Sequence, residues 1–325
     1  MQAFEQDLAL ARGNIERPSY RISECLTRLG ADSAFIQKLV YALYDVGANH
    51  ALTFQHRANR FETCASRGGR SGEAHSQGRE AEPVQSLIGC CGWAGAQAQY
   101  FSQFSVIEIQ STFYDPPAAK VAARWRALAP PDFEFCLKAW QLITHPCSSP
   151  TYRRLRGFLS PERSQMCGFF QDTEEVWEAW KRTLEIAETV RASVILFQCP
   201  ASFKATQGNI ENLSRFFQKI GPQPFRLAWE PRGPWPCQVV RDLCAEHKLI
   251  HCVDPLTDRS QYGDAVYWRL HGKGSYSYHY TEEDLAQLQR LLYKAQAEDP
   301  AYILFNNVSM KSDAKRFMGL LGCRR

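Results

Sequence analysis

Charged and amide side chains recur along residues 86–307, each where a short apolar segment ends. Carboxylates, lysine, arginine and histidine are the groups that transfer protons, hold anions or bind divalent metals. Charged groups are rarely buried unless they are paired, so this repeated position indicates a site more than a core. For any one residue, capping of a strand end is the competing explanation. The pattern selects Glu108, Lys138, Gln198, Glu230, Asp254, Arg269, His271, Asn306 and Asn307.

The apolar segments themselves have the length and composition of buried strands. They are rich in β-branched and aromatic residues and are closed by Gly, Pro or a polar pair. There are eight of them, at 86–92, 106–113, 133–140, 193–200, 226–231, 249–255, 265–272 and 301–307. Helical patterns fill most of the intervals and the tail, at 117–128, 173–190, 210–220, 236–247, 281–297 and 313–321.

Strand alternating with helix predicts an α/β fold, a TIM-type (β/α)8 barrel in which all strands end at one mouth. An open doubly wound sheet is the alternative, but no Gly-rich fingerprint follows the first segment. Because alternate side chains of a strand share a face, we expect Glu108, Gln110 and Thr112 on one face. Arg269 and His271 should share another. The connection 255–264 is too short for a normal helix and should be irregular.

The first 85 residues do not follow this pattern. Residues 1–54 form a predicted N-terminal extension, with apolar residues at helical spacing over 33–46 that indicate one amphipathic helix. Residues 55–85 are rich in Arg, Gly, Ser and Glu, which is typical of a flexible, disordered linker. The barrel domain is therefore predicted over 86–325.

Composition narrows the protein class. A chain of 325 residues that is 45% hydrophobic can bury a large core. The sequence has no long apolar run and no signal peptide, which predicts a cytoplasmic protein without a membrane partner. Twelve cysteines include no Cys-x-x-Cys pair, so a structural zinc site is not expected. A net charge of +4 is too small to establish a nucleic-acid partner.

An arginine-rich loop follows the third segment. Residues 148–156 place three arginines, among them Arg153, beside hydroxyl groups and a tyrosine. Guanidinium forks suit phosphate oxygens, so the expected partner is a small anionic or phosphorylated ligand, with nucleic acid as a second class. A solvated loop is the competing explanation.

Six strand-end motifs together resemble the YecE-like family, catalogued as domain of unknown function 72. They are VIEIQSTFY at 106–114, AWQLITH at 139–145, FQCPASF at 197–203, WEPR at 229–232, RLHG at 269–272 and FNN at 305–307. The resemblance covers about 87–321 and implies a TIM-type barrel, with no established reaction or cofactor. The resemblance implies that the following residues occupy the family's motif positions: Glu108, Ser111, Thr112, Tyr114, Lys138, His145, Gln198, Glu230, Arg269, His271 and Asn307. The first strand departs from the family, because Cys90 and Cys91 stand where members usually carry Thr-Ser.

The function hypothesis is an enzyme of hydrolase or lyase type that acts on a phosphate-bearing or other anionic substrate. The catalytic candidates are Glu108, Lys138, Glu230, Asp254 and His271. The substrate-binding candidates are Thr112, Tyr114, His145, Arg153, Gln198, Arg232, Arg269, Asn306 and Asn307. One alternative is a non-catalytic binding module for an anionic ligand or nucleic acid. Another is a metal-dependent phosphodiesterase or nuclease.

Neither a cofactor nor a metal is identified by the sequence. Lys138 and Arg269 in the same mouth would oppose a cation, which favours a metal-free anion site. Glu230 should stay ionised at neutral pH because nearby cations outweigh its burial. Closed Arg or Lys pairs on both Glu108 and Glu230, with no cavity, would contradict a catalytic role for the mouth.

Overall fold

The computed structural model describes residues 85–157, 159–263, 265–295 and 300–323. All eight predicted strands are present in this part of the chain. They are β1 (Ser86–Cys91), β2 (Val106–Ile109), β3 (Glu134–Lys138), β4 (Ala192–Gln198), β5 (Arg226–Glu230), β6 (Leu249–His251), β7 (Tyr267–Leu270) and β8 (Ala301–Phe305). Every pairing is parallel, in the order β6-β5-β4-β3-β2-β1-β8-β7.

The predicted helices are confirmed between the strands, with small shifts at their ends. The helices are α1 (Gln97–Phe101), α2 (Ser111–Tyr114), α3 (Ala119–Leu128), α4 (Gln141–Thr144), α5 (Pro161–Gln165), α6 (Glu174–Val190), α7 (Gln207–Ile220), α8 (Cys237–His247), α9 (Glu282–Lys294) and α10 (Met310–Leu320). A 3-10 turn spans Pro150–Arg154. Helix α9 begins at a reciprocal capping box between Thr281 and Asp284, which satisfies two backbone N–H groups at its start.

The sheet closes just beyond the short strand β6. Val253 forms a parallel bridge with Trp268, and the backbone N–H of Arg269 donates to the carbonyl oxygen of Val253 at 3.0 Å. This contact joins the two ends of the strand order, so the predicted TIM-type barrel is confirmed. As expected, the described residues between β6 and β7 contain no helix.

Because no helix covers this seam, a cavity of about 840 Å³ lies beside it. Tyr262, Trp268 and Leu291 are among the residues that line it. None of the predicted site residues lines this cavity. It is therefore a consequence of the irregular connection and is separate from the barrel mouth.

Strand alternation separates the interior of the barrel from the layer between strands and helices. Thirteen buried residues form the interior cluster, and nearly all are small or aliphatic apart from two tyrosines. This interior cluster includes Val106 on β2, Cys136 on β3, Leu196 on β4, Ala228 on β5 and Tyr267 on β7. On each of these strands, the residue two positions later points to the same face. These residues are Glu108, Lys138, Gln198, Glu230 and Arg269. The barrel mouth is thus the polar top layer of an otherwise apolar interior.

The second and sixth predicted strands are each four residues too long at their C-terminal ends, because β2 ends at Ile109 and β6 at His251. Pairing of β2 with β3 ends at Ile109 opposite Leu137, and Ser111–Tyr114 forms a helical turn instead. Thr112 therefore does not share a strand face with Glu108 and Gln110. Its hydroxyl hydrogen-bonds the carbonyl oxygens of Ile109 and Lys138, at 2.9 and 2.7 Å, and this contact holds the turn against the end of β3.

The predicted extension at 1–54 and nearly all of the linker at 55–85 lie outside the described residues. Their amphipathic helix, disorder and boundaries stay predictions. Among the helices that are described, none has both the length and the apolar content needed to cross a bilayer.

Candidate functional site

Arg269 is the centre of the barrel mouth. Its guanidinium is 1% exposed and lies between two carboxylates carried by other strands. Nε donates to both oxygens of Glu108 at 3.2 and 3.1 Å, and Nη1 donates to Oε2 of Glu230 at 2.6 Å. Nη1 also lies 3.2 Å from Oε1 of Gln198. A planar guanidinium with five donors suits this arrangement, which a lysine could not reproduce.

Glu108 has all its acceptor capacity occupied by protein groups. Besides Arg269, the hydroxyl of Tyr267 donates to Oε2 at 2.7 Å, and the Gln110 side-chain amide donates to Oε1. The residue is completely buried. Glu108 was predicted to be catalytic; in the structure it is a buried carboxylate held by donors from three residues, of which Arg269 supplies the counter-charge.

Glu230 is also held by arginines, on both sides. Nε of Arg232 donates to Oε1 at 2.8 Å while Arg269 occupies Oε2. Burial raises the pKa of Glu230, but the charges of Arg269 and Arg232 outweigh it and lower the pKa to about 2. The carboxylate is therefore ionised at neutral pH, as expected. Its pairing leaves it without the free lone pairs that a general base needs.

His271 and Asp254 form a second pair at the mouth. Nε2 of His271 lies 2.7 Å from Nη2 of Arg232 and 3.2 Å from Nη1 of Arg269. Guanidinium groups only donate, so these contacts assign an acceptor lone pair to Nε2 and the ring proton to Nδ1. Asp254 accepts from the backbone N–H of His271 at 2.9 Å, and its Oδ2 lies 3.7 Å from Nδ1. Asp254 thus positions His271.

Lys138 differs from every other charged group in the mouth. Its side chain is buried, and within the described residues its Nζ makes no hydrogen bond or ion pair; it lies 3.6 Å from the centroid of the Phe113 ring. Burial lowers its pKa to about 7, and the charge of Arg269 adds to this. A large share of this amine is therefore neutral near pH 7, and it retains a free lone pair.

His145 contacts the same phenylalanine. Its ring meets Phe113 edge to face at 4.9 Å, and its Nδ1 is 2.8 Å from the hydroxyl of Thr144. Burial lowers the pKa of His145 to about 3, with further contributions from Lys138 and Arg232. The imidazole is thus neutral at physiological pH and adds no positive charge beside Lys138.

The rim of the mouth is more exposed and carries aromatic and basic groups. The guanidinium of Arg154 lies 4.4 Å over the ring of Tyr114. Burial raises the pKa of Tyr276, with smaller contributions from the nearby Cys91 and Tyr114 groups. Arg153 was predicted to bind the substrate from this loop. In the structure, however, it is Arg154 that contacts the aromatic ring of Tyr114. The side chain of Arg153 is exposed and makes no contact with the other described site residues.

The two asparagines after β8 have different environments. The side-chain amide of Asn307 donates to the carbonyl oxygen of Tyr278 at 2.7 Å and to Oδ2 of Asp313 at 2.8 Å. These bonds attach the β7 loop to helix α10, which is a structural role. Asn306 follows the interior residues Tyr302 and Leu304 at the same alternation and is half-buried at the rim. Its side chain makes no hydrogen bond to any other described residue.

Several contributors to the site were not predicted. Tyr267 lies two residues before Arg269, so strand alternation alone could have placed it beneath the mouth. Phe113 and Arg154 carried no such signal, since each acts from a short turn whose direction depends on local backbone geometry. The described residues contain no group of three or more His, Cys, Asp or Glu side chains arranged to hold a metal ion. The acidic oxygens that could have served as ligands are held by Arg269 and Arg232.

Comparison with known proteins supports the fold and the family. A family model described as protein of unknown function DUF72 matches residues 87–324. The UPF0759 protein YunF of Bacillus subtilis (strain 168) is 22% identical over 241 residues, covering 65% of this chain and 79% of the relative.

Two solved structures of DUF72 family proteins share the barrel. One from Enterococcus faecalis V583 is 19% identical with a TM-score of 0.57, covering 74% of this chain and 99% of that one. One from Thermotoga maritima MSB8 is 20% identical with a TM-score of 0.54, covering 74% and 100%. At these identities the structures establish the fold alone. The family model spans most of the chain and agrees with the resemblance of the strand-end motifs, and the chain therefore belongs to the DUF72 family.

Proposed function

We propose that the barrel mouth binds a small anionic substrate and that Lys138 is its acid–base group, so that the protein is an enzyme. The state of Lys138 supports this proposal. It is a buried amine near its midpoint of ionisation at neutral pH, with no hydrogen-bond or ion-pair partner among the described residues. Proton transfer is most efficient when the pKa of the transferring group lies near the working pH.

The surrounding charges explain why the substrate should be an anion. Arg269 and Arg232 remain protonated at any physiological pH, and Arg154 adds a positive charge at the rim. His271 and Arg232 have side chains that are 24% and 40% exposed, so an incoming ligand can reach this layer. Burial is the main cause that keeps Lys138 partly neutral, and the charge of Arg269 adds to it; a phosphate or carboxylate group would offset that positive charge.

The roles of the predicted acids change under this proposal. Glu108 and Glu230 orient Arg269 and Arg232, and Asp254 orients His271, while proton transfer is assigned to Lys138. A metal-dependent phosphodiesterase fits less well because the carboxylate oxygens of Glu108 and Glu230 are already bound by guanidinium groups. Glu108 and Glu230 both lie in closed pairs with arginine, and the cavity of about 840 Å³ lies at the seam between β6 and β7, away from the mouth. Both observations count against a catalytic mouth and favour one competing candidate, a binding module without catalysis. In that case Lys138 would only contribute charge.

The titration of Lys138 and its effect on phosphate binding distinguish the enzyme from the binding module. Nuclear magnetic resonance of ¹³Cε-labelled lysine should show one amine that titrates near pH 7 and is missing from Lys138→Met. Lys120, which is exposed on α3, supplies the matched control in Lys120→Met. Inorganic phosphate, measured by isothermal titration calorimetry, should bind the wild type and the control alike and bind Lys138→Met more weakly. A Lys138 amine that titrates near pH 10 would remove the acid–base role and leave the binding module.

A further inference from the structure

The free amine of Lys138 has a chemical use beyond proton transfer. We infer that Lys138 is a nucleophile that forms an imine with a small aldehyde or ketone carrying a carboxylate or phosphate group. This inference rests on the proposed function, because it assumes that the mouth binds an anionic substrate. It adds the reacting functional group and thereby narrows the substrate class.

The first support is the contrast between Lys138 and the acids beside it. A buried lysine used only as a cation is normally paired with a carboxylate. Glu108 and Glu230 act electrostatically on this amine, yet their oxygens are occupied by Arg269, Arg232 and Tyr267. The guanidinium groups thus hold the acids away from Lys138. Among the described residues, no carboxylate or other acceptor engages the amine of Lys138.

The second support is the composition of the walls around the amine. The face of Phe113 covers one side of Nζ at 3.6 Å, a cation–π contact that involves no carboxylate or other hydrogen-bond acceptor. His145 packs against the same ring and is neutral, so it does not bind the amine as a counter-ion. Desolvation by an apolar wall next to other cations is a recognised way to activate an amine nucleophile.

The reaction balances without a further reagent. The neutral amine of Lys138 attacks the carbonyl carbon and forms a C–N bond, while the carbonyl oxygen takes up a proton. Loss of that oxygen as water, with transfer of the remaining amine proton, leaves the imine. Nothing is oxidised or reduced. The anionic part of the substrate would lie against Arg154 and Arg232, whose positive charges reach the rim.

Reductive trapping tests the inference on the full-length wild-type protein. Glyoxylate and pyruvate are small probes that combine a carbonyl group with a carboxylate, and sodium cyanoborohydride reduces any imine to a stable adduct. Peptide mass mapping then compares labelling at Lys138 with labelling at the exposed Lys120. We expect Lys138 to be labelled about 100-fold faster or more at pH 7, since an ordinary lysine is almost fully protonated there. This ratio should fall above pH 7, because the neutral fraction of an ordinary lysine continues to rise.

The pH dependence of labelling at Lys138 reflects the charged and titratable groups around its amine. The charged groups that act on Lys138 are Glu108 on β2, Glu230 on β5, Arg269 on β7 and Arg232 after β5. The titratable group His145, after β3, lies nearby and is neutral near pH 7. Lys138→Arg keeps the positive charge and cannot form the imine, so its labelling at position 138 should be absent. The wild-type peptide map gives the result even if this variant does not fold.

Two further outcomes separate this inference from the proposed function. Inorganic phosphate or lactate should slow labelling of Lys138, because each carries the anionic group without the carbonyl. Labelling that neither anion slows would overturn the anionic substrate class. Labelling no faster at Lys138 than at Lys120 would overturn the imine, and phosphate binding that still depends on Lys138 would then leave the proposed function standing.

Discussion

Arg269 and Glu108 are 161 residues apart in sequence and form a bidentate pair inside the barrel, with Nε 3.2 and 3.1 Å from the two carboxylate oxygens. Neither side chain is more than 1% exposed. The pair connects β7 to β2 across the mouth. Among the described residues Glu108 forms no hydrogen bond or ion pair with Lys138, although its charge raises the pKa of that lysine.

Replacement of Arg269 by lysine should destabilise the protein strongly. A lysine cannot bind Glu108 and Glu230 together, and an uncompensated buried carboxylate costs about 3–5 kcal/mol. Arg163→Lys is the control, because Arg163 is half-exposed and pairs with Glu175 and Glu178 near the surface. That change should cost much less than the change at Arg269, since exposed ion pairs contribute little. Urea unfolding of both variants provides the comparison, and equal losses would contradict a buried role for Arg269.

Glu230→Gln should lower the free energy of unfolding at neutral pH while the protein still folds. The pKa of Glu230 is about 2 in the folded protein, below its unfolded value of 4.5, so its contribution is complete above about pH 5. The contribution is lost as the pH falls from about 5 to about 2. The wild type should exceed the variant by about 3 kcal/mol at pH 7. Urea unfolding between pH 2.5 and 7 measures the difference, which must shrink toward acid pH for this account to hold.

Lys138 should make the protein more stable as the pH rises above 7. Its folded pKa of about 7 lies below the unfolded lysine value, so the unfolded state binds more protons between these limits. The free energy of unfolding should rise by about 1.4 kcal/mol per pH unit from this group. Lys138→Met removes that slope and should be more stable than the wild type at pH 6. Denaturant unfolding at pH 6, 7, 8 and 9 tests this, with Lys120→Met expected to follow the wild type.

The neighbouring Asn307 and Asn306 should respond differently to alanine. Asn307→Ala removes two buried hydrogen bonds and leaves the Tyr278 carbonyl oxygen without that donor, at a cost of about 1–3 kcal/mol. Asn306→Ala removes a half-buried side chain with no hydrogen bond among the described residues, and its effect should stay within about 0.5 kcal/mol. Thermal unfolding of the two variants is a direct comparison. Similar melting temperatures would show that the Asn307 contacts contribute little.

Deletion of residues 1–84 should leave a domain that unfolds cooperatively. Residues 55–85 contain few aliphatic side chains and offer little apolar surface to bury. We expect the melting temperature to fall by less than about 8 °C, which corresponds to roughly 2–4 kcal/mol for a domain of this size. Calorimetry of the full-length and truncated proteins measures the shift. A larger fall would mean that the predicted amphipathic helix stabilises the barrel.

The sequence by itself determined the barrel and the members of its mouth. Short β-branched segments separated by helical periodicity specify parallel strands, and parallel strands place their ends on one side. Alternation then assigns Glu108, Lys138, Glu230 and Arg269 to the interior face, as observed. These inferences use only local patterns of two and 3.6 residues. They do not depend on which distant side chains meet.

Only the tertiary structure decided what each group does there. Arg269 and Arg232 bind the carboxylates, and Lys138 is left against Phe113, because side chains from separate strands compete for a limited number of acceptor oxygens. That competition depends on distances across the barrel. Arg154 meets Tyr114 while Arg153 does not, since adjacent residues of a 3-10 turn point in different directions. Residue type and spacing therefore locate the site, and long-range pairing assigns the roles within it.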